Sequence, residues 1–150
     1  MENQRMKIFT IGFTQKSAEA FFGKLQRAGV RRVVDTRLHN TSQLSGFAKR
    51  DDLRFFLDAI GNMGYLHEPL LAPSDDMLAD YKKKRIDWRR YESRFLALMR
   101  EREIEKRMDR ALIDRGCLLC SEAKPHYCHR RLVAEYLQNN WGDVEIIHLV

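Results

Sequence analysis

The stretch IFTIGFTQKSAEAFFGKLQRAGVRRVVD, Ile8 to Asp35, decides the fold. It opens on Ile8-Phe9-Thr10-Ile11, a short β-branched and aromatic run closed by Gly12, which reads as a buried strand. Ser17 follows as a helix N-cap, and in Ala18 to Arg27 the apolar residues Phe21, Phe22 and Leu25 recur at helical spacing. Gly29 stops that helix, since a residue without Cβ adopts the left-handed C-cap conformation without steric cost. Val30 to Asp35 is a second strand. Strand, helix and strand with short joints form a crossover unit, so the two strands should run parallel.

The rest of the chain repeats this alternation. Asp51 to Met63 places Leu53, Phe56, Leu57 and Ile60 on one helical face and should end at Gly64, ahead of a third short strand at Tyr65 to His67. Pro69 and Pro73 bound a loop. A polar helix is expected over Asp75 to Lys84, and one long helix from Trp88 to Met108 that buries Tyr91, Phe95, Leu98 and Met99. Ala111 to Cys120 holds a fourth strand, best placed at Gly116 to Cys120. Cys128 to Asn139 is a helix with Leu132, Val133, Tyr136 and Leu137 as its stripe, and Val144 to Leu149 is a last strand. The expected fold is therefore α/β. About five strands form a mostly parallel sheet sandwiched by helices, in a single domain over residues 1–150.

Composition bounds the function classes. The 150 residues are 44% hydrophobic and 32% charged, enough apolar content for a true core in one domain. The N-terminus, MENQRMKIFTIGF, lacks the apolar region of a signal peptide, and no apolar run reaches the length of a membrane helix. An odd count of three cysteines favours reduced thiols and a cytoplasmic protein over a disulfide framework. The net charge of +6 permits attraction to nucleic acid or to phosphorylated small molecules. Much of it lies in Lys82-Lys83-Lys84-Arg85 and in Arg89 to Arg110, where Glu92, Glu101, Glu103, Glu105 and Asp109 intervene. That pattern suits a solvated helix face or a nucleic-acid track.

In an open parallel sheet, ligands bind beyond the carboxyl ends of the strands. The residues at those ends are Gly12-Phe13-Thr14, Asp35-Thr36-Arg37, His67-Glu68 and Cys120-Ser121-Glu122. Beyond the fourth strand runs CLLCSEAKPHYCHRRLVAEYL, Cys117 to Leu137, which admits three readings. As a metal knuckle, Cys117 and Cys120 point to opposite faces of a strand, which leaves Cys120, His126 and Cys128 as ligands. As a redox pair, Cys120 and Cys128 are joined by a loop that can fold back, while Cys117 fills the core.

As an anion cradle, the helix opening at Cys128 offers its N-terminal N–H groups, with Arg130 and Arg37 as bidentate clamps. Cys128 would then be an activated thiol and His129 a proton carrier at neutral pH, with Asp35, Glu68 and Glu122 as orienting or acid–base carboxylates. The competing structural explanation is a salt-bridge network of Asp35, Arg37, Glu122 and Arg130 that ties the strand ends together. His67 and His148 read as packing residues, and Trp88 and Tyr91 as helix-docking residues. His39, Asn40 and Ser42 sit in a polar loop that can bind a ligand or simply turn the chain.

Thr10-Ile11-Gly12, Asp35-Thr36-Arg37 and LLCSE…CHR from Leu118 to Arg130 together resemble the DUF488 family, a family of unknown function. NTSQLSGFAK (Asn40 to Lys49) and HEPLLAP (His67 to Pro73) resemble one branch of it. The commoner pattern has His-Ser after Thr-Ile-Gly, where this chain has Phe13-Thr14, and a proline soon after Asp-x-Arg, where it has His39-Asn40. The resemblance implies an α/β domain with a site built from these motifs, and supplies no reaction.

The sequence thus predicts a small enzyme for an anionic, phosphate-bearing substrate such as a nucleotide or nucleic acid. Its catalytic candidates are Cys128, His129, Glu122 and Asp35, and its binding candidates are Arg37, Arg130, Gly12, Asn40, Glu68 and Cys120. A non-catalytic nucleotide- or nucleic-acid-binding module is the first alternative and a metal-dependent hydrolase the second. No Walker A loop, G-x-S-x-G or H-E-x-x-H motif is present, and no cofactor or metal ligand is assigned.

Overall fold

A computed structural model describes residues 5–40, 46–121 and 127–150. Five parallel strands form one sheet: β1 (Met6–Gly12), β2 (Arg32–Asp35), β3 (Gly64–His67), β4 (Gly116–Cys120) and β5 (Val144–Leu149), in the order β3-β2-β4-β1-β5. The mostly parallel sheet expected from sequence is thus wholly parallel.

Alternation along the strands feeds two cores. Phe9, Ile11, Val33, Cys117 and Leu119 face α1 (Ala18–Ala28) and α2 (Arg50–Gly61), which contribute Phe21, Phe22, Leu25, Leu53 and Leu57. Ile8, Val34 and Leu118 face the opposite layer, where α3 (Asp75–Lys82), α4 (Trp88–Arg102) and α7 (His129–Trp141) supply Met77, Phe95, Met99, Leu132 and Leu137. Central β4 is buried along its whole length, so it reads as a continuous apolar run rather than an alternating one. Among the described residues, no helix is long and apolar enough to cross a membrane.

The local signals behave as chemistry requires. The Ser17 hydroxyl accepts from Ala20 N–H, and Gly29 (φ 78°) closes α1. Two helix ends differ from expectation. Asn62, not Gly64, takes the left-handed cap of α2, and Gly64 instead opens β3. The helix expected over 88–108 breaks at Glu103 (φ 52°). Beyond the break, the one-turn α5 (Ile104–Arg107) turns Ile104 fully into the core. Glu105 meets α7 there: its carboxylate accepts from Tyr136 Oη at 2.7 Å and its carbonyl from Trp141 Nε1 at 2.9 Å. Periodicity alone does not show a break whose compensation comes from another helix. Another one-turn helix, α6 (Arg110–Ile113), leads into β4.

The topology opens a crevice beside the carboxyl end of β4. The chain leaves β2 toward α2 and leaves the adjacent β4 toward α7, on the opposite layer. The two exits diverge, and the carboxyl ends of β2 and β4 open a hollow between them.

Candidate functional site

At the β2 exit, Asp35 is wholly buried and its carboxylate collects five donors. Oδ1 accepts from Arg37 Nε at 2.8 Å and from Arg37 N–H at 3.2 Å. Oδ2 accepts from Arg37 Nη2 at 2.8 Å, Tyr65 Oη at 2.6 Å and Asn40 Nδ2 at 3.3 Å. Burial by itself would raise the Asp35 pKa, but the hydrogen bonds and charge of Arg37 and the Tyr65 hydroxyl outweigh it and hold the acid below the ordinary carboxylate range.

The same network positions Arg37. Its guanidinium lies 5.4 Å from the centroid of the Phe13 ring, and its carbonyl accepts from His67 Nε2 at 2.8 Å. The side chain is 5% exposed and lines the crevice. Nη1 is buried and has no hydrogen-bond partner among the described residues.

The crevice is a cleft of about 400 Å³. Arg37 and Lys82 supply its positive groups, His39 adds an imidazole, and no Asp or Glu among the described residues lines it. Tyr81, Trp88, Tyr91 and Tyr127 supply its aromatic wall. Trp88 stacks on Tyr91 at 5.2 Å between centroids and meets Tyr127 edge-on at 5.4 Å. Tyr127 is 64% exposed, which leaves a ring available to a ligand. Trp88 and Tyr91 do dock their helix, as expected from sequence, but Trp88 is only partly buried and also lines the cleft.

Cys128 and His129 close the cleft at the start of α7, where Cys128 is the N-cap residue. His129 Nε2 lies 2.9 Å from the Thr36 carbonyl oxygen and 3.0 Å from Thr36 Oγ1. Burial pushes the His129 pKa down to about 4, aided by the Arg130 charge and opposed by the Thr36 carbonyl and Asp35. The imidazole is therefore neutral at pH 7, so the freely titrating proton carrier expected from sequence is not what this environment makes.

The Sγ atoms of Cys120 and Cys128 are joined, the pairing that the redox reading left open. The expectation of three reduced thiols holds only for Cys117, which is buried in the sheet with its thiol pKa pushed up by desolvation. Cys120 Sγ, Cys128 Sγ and one ring nitrogen of His129 lie within 4.8 Å of one another.

The other expected residues are distributed less simply. Arg130, expected to clamp an anion beside Arg37, is completely buried and does not line the cleft; its Nη1 donates to Cys120 Sγ at 3.2 Å. Gly12 pairs with Cys120 at the sheet's edge of the crevice, away from the lining. Glu68 caps the short turn Pro69–Leu71, accepting from Leu70 N–H at 3.3 Å. Asn40 is buried between Asp35 and Tyr65. His148 bonds Thr10 Oγ1 at 2.6 Å. Glu122, His126 and Ser42 lie outside the described residues. Sequence reasoning missed Tyr65, Tyr81 and Tyr127 as site residues, and placed Lys82 only in the basic run. The one available signal was aromatic residues flanking the basic run and preceding Cys128-His129.

The family model "Domain of unknown function DUF488" matches residues 17–137. The chain belongs to the DUF488 family. The match spans α1 through most of α7 and includes every cleft-lining residue described above. No curated protein and no solved structure matches the chain.

Proposed function

We propose that this DUF488 protein is a small enzyme whose cleft takes a phosphate-bearing substrate with a flat ring, the chemistry of a nucleotide. The observation that carries the reading is Arg37. Two of its nitrogens are fixed on Asp35, while Nη1 is buried without a partner among the described residues, beside a cleft free of described carboxylates. A buried donor without an acceptor is costly, and a phosphate oxygen would satisfy it through a charge-assisted hydrogen bond. Because Asp35 already holds the fork, little side-chain freedom is lost on binding.

Lys82 adds a mobile point charge, and Trp88 and Tyr127 offer faces and edges to a base; one such stacking contact contributes about 1–3 kcal/mol. Asp35 is committed to Arg37 and acts by positioning it. Reactive groups come from the sulfur and imidazole cluster at Cys128 and His129. Calorimetric titration with a nucleoside monophosphate, the matching nucleoside and inorganic phosphate tests the reading. The intact nucleotide should bind at least 10-fold more tightly than either half, and Arg37→Gln should lose at least 10-fold. Equal affinity of the wild type and Arg37→Gln would contradict it.

A second reading, a non-catalytic nucleic-acid-binding module, draws on the surface beside the cleft. Lys83, Lys84, Arg89 and Arg90 are exposed and form no ion pair among the described residues. A neighbouring hollow of about 530 Å³ shares Tyr81 and Lys82 with the cleft. Steep salt dependence of single-stranded oligonucleotide binding without turnover would favour this reading.

A further inference from the structure

The Cys120–Cys128–His129 cluster has a feature that neither anion binding nor packing explains. The three side chains come from two elements set in the core: Cys120 ends β4, and Cys128 and His129 start α7. Both cysteines are at most 3% exposed, and the three ligand atoms lie within 4.8 Å of one another. The surrounding hydrogen bonds set the imidazole tautomer. Thr36 Oγ1 donates its hydrogen to the Leu119 carbonyl at 2.8 Å, so at Thr36 both its hydroxyl oxygen and its carbonyl can only accept from the ring. His129 Nε2 must carry the proton, which leaves Nδ1 as the lone-pair nitrogen. A ring N–H anchored on a backbone carbonyl is the outer-shell arrangement that orients metal-bound histidines. Arg130 Nη1 donates to Cys120 Sγ at 3.2 Å, which places a positive charge beside that sulfur.

We propose that, in the reduced protein, Cys120 Sγ, Cys128 Sγ and His129 Nδ1 hold a zinc ion whose fourth position opens into the cleft. Two thiolates and one imidazole form a ligand set suited to zinc, and three protein ligands with an open fourth place define a catalytic rather than a structural site. The opening follows from Cys128 and His129, which line the cleft, whereas Cys120 and Arg130 do not. Cys117 is excluded, since it lies among Phe9, Val33 and Leu119 on the other layer. The expected sequence site used His126, which lies outside the described residues; among the described residues, His129 reaches the sulfurs. The sulfur–sulfur bond of the oxidised pair excludes the ion. Loading therefore requires two-electron reduction of the disulfide by an external thiol or phosphine, which is itself oxidised. Deprotonation of the two thiols then accompanies metal entry. The ion's site stands independently of the nucleotide reading. Only the identity of the fourth ligand, a water or a substrate phosphate oxygen, rests on that reading.

Cobalt(II) is the direct probe. In full-length protein reduced with a phosphine, one equivalent should produce thiolate-to-cobalt charge transfer in the near ultraviolet and intense tetrahedral d–d bands, both removed by zinc. Cys120→Ser and Cys128→Ser should each weaken binding at least 10-fold, as should His129→Asn, while Cys117→Ala should leave it unchanged. The wild-type spectrum does not depend on whether any variant folds. No charge-transfer band in reduced wild type at excess cobalt, or an undiminished band in Cys128→Ser, overturns the proposal. Adding a nucleoside monophosphate to the cobalt form separates the two claims. A change in the d–d bands places the anion at the ion, whereas unchanged bands refute only the phosphate as fourth ligand.

Discussion

Replacing Asp35 by asparagine tests the support beneath the cleft. The substitution keeps shape and one acceptor but removes the charge that holds Arg37 through Nε and Nη2, both at 2.8 Å. The guanidinium is 5% exposed and then lacks a counterion. Breaking a buried ion pair from one side typically costs about 3–5 kcal/mol. For a chain of this size that is a fall in Tm of roughly 10–15 °C.

Tyr65→Phe is the internal comparison. It removes one hydrogen bond to Asp35 and leaves the ion pair, so it should cost about 1.5–3 kcal/mol. The pH dependence has a definite sign. The folded-state pKa of Asp35 lies below its unfolded value of about 3.9, so its contribution is fully present above that value. It is lost as pH falls through the lower, folded-state pKa, and Asp35→Asn should lack that acid limb. Urea denaturation of the three proteins, followed by circular dichroism from pH 7 down to about 3, measures both effects. A cost below about 1 kcal/mol in Asp35→Asn, or an acid limb as steep as in wild type, would refute the reasoning.

Other expectations concern separate parts of the molecule. Gly116→Ala should destabilise by about 1–3 kcal/mol in equilibrium unfolding, because a Cβ there would stand 3.0 Å from the Ile113 carbonyl oxygen and 3.2 Å from Val34 Cγ2 in the central strand. Ellman titration should find no fast thiol in the native oxidised protein, one on unfolding, and three on unfolding with reduction, since Cys117 is buried and the other two are joined. Lys82→Ala should weaken nucleotide binding several-fold with unchanged Tm, because Lys82 is an exposed residue at the cleft edge; an unaltered affinity removes it from the site.

The fold was legible where local and global signals agreed. The run from Ile8 to Asp35 carries a strand period, a capped helix and a second strand, and all three form; so do β4 at Gly116–Cys120 and β5 at Val144–Leu149. The break at Glu103 was not legible, because it is compensated by Ile104 burial and by contacts from α7, thirty or more residues away. The site followed a similar division. Strand-end logic found Asp35, Arg37, Cys128 and His129, which meet around one crevice. It could not show that Arg130 points to the cysteine sulfur rather than to solvent, nor that Thr36 anchors His129. Trp88 illustrates the remaining ambiguity: an aromatic ring at the start of a helix can pack one face on the core and leave another lining the cleft.

The most direct measurement follows the Arg37 guanidinium itself. In ¹⁵N–¹H spectra of the full chain, titration with a nucleoside monophosphate should shift the Arg37 Nη1 resonance, saturating with the calorimetric affinity while the Nε resonance on Asp35 stays nearly fixed. Saturable nucleotide binding that leaves Arg37 Nη1 unmoved would contradict the account.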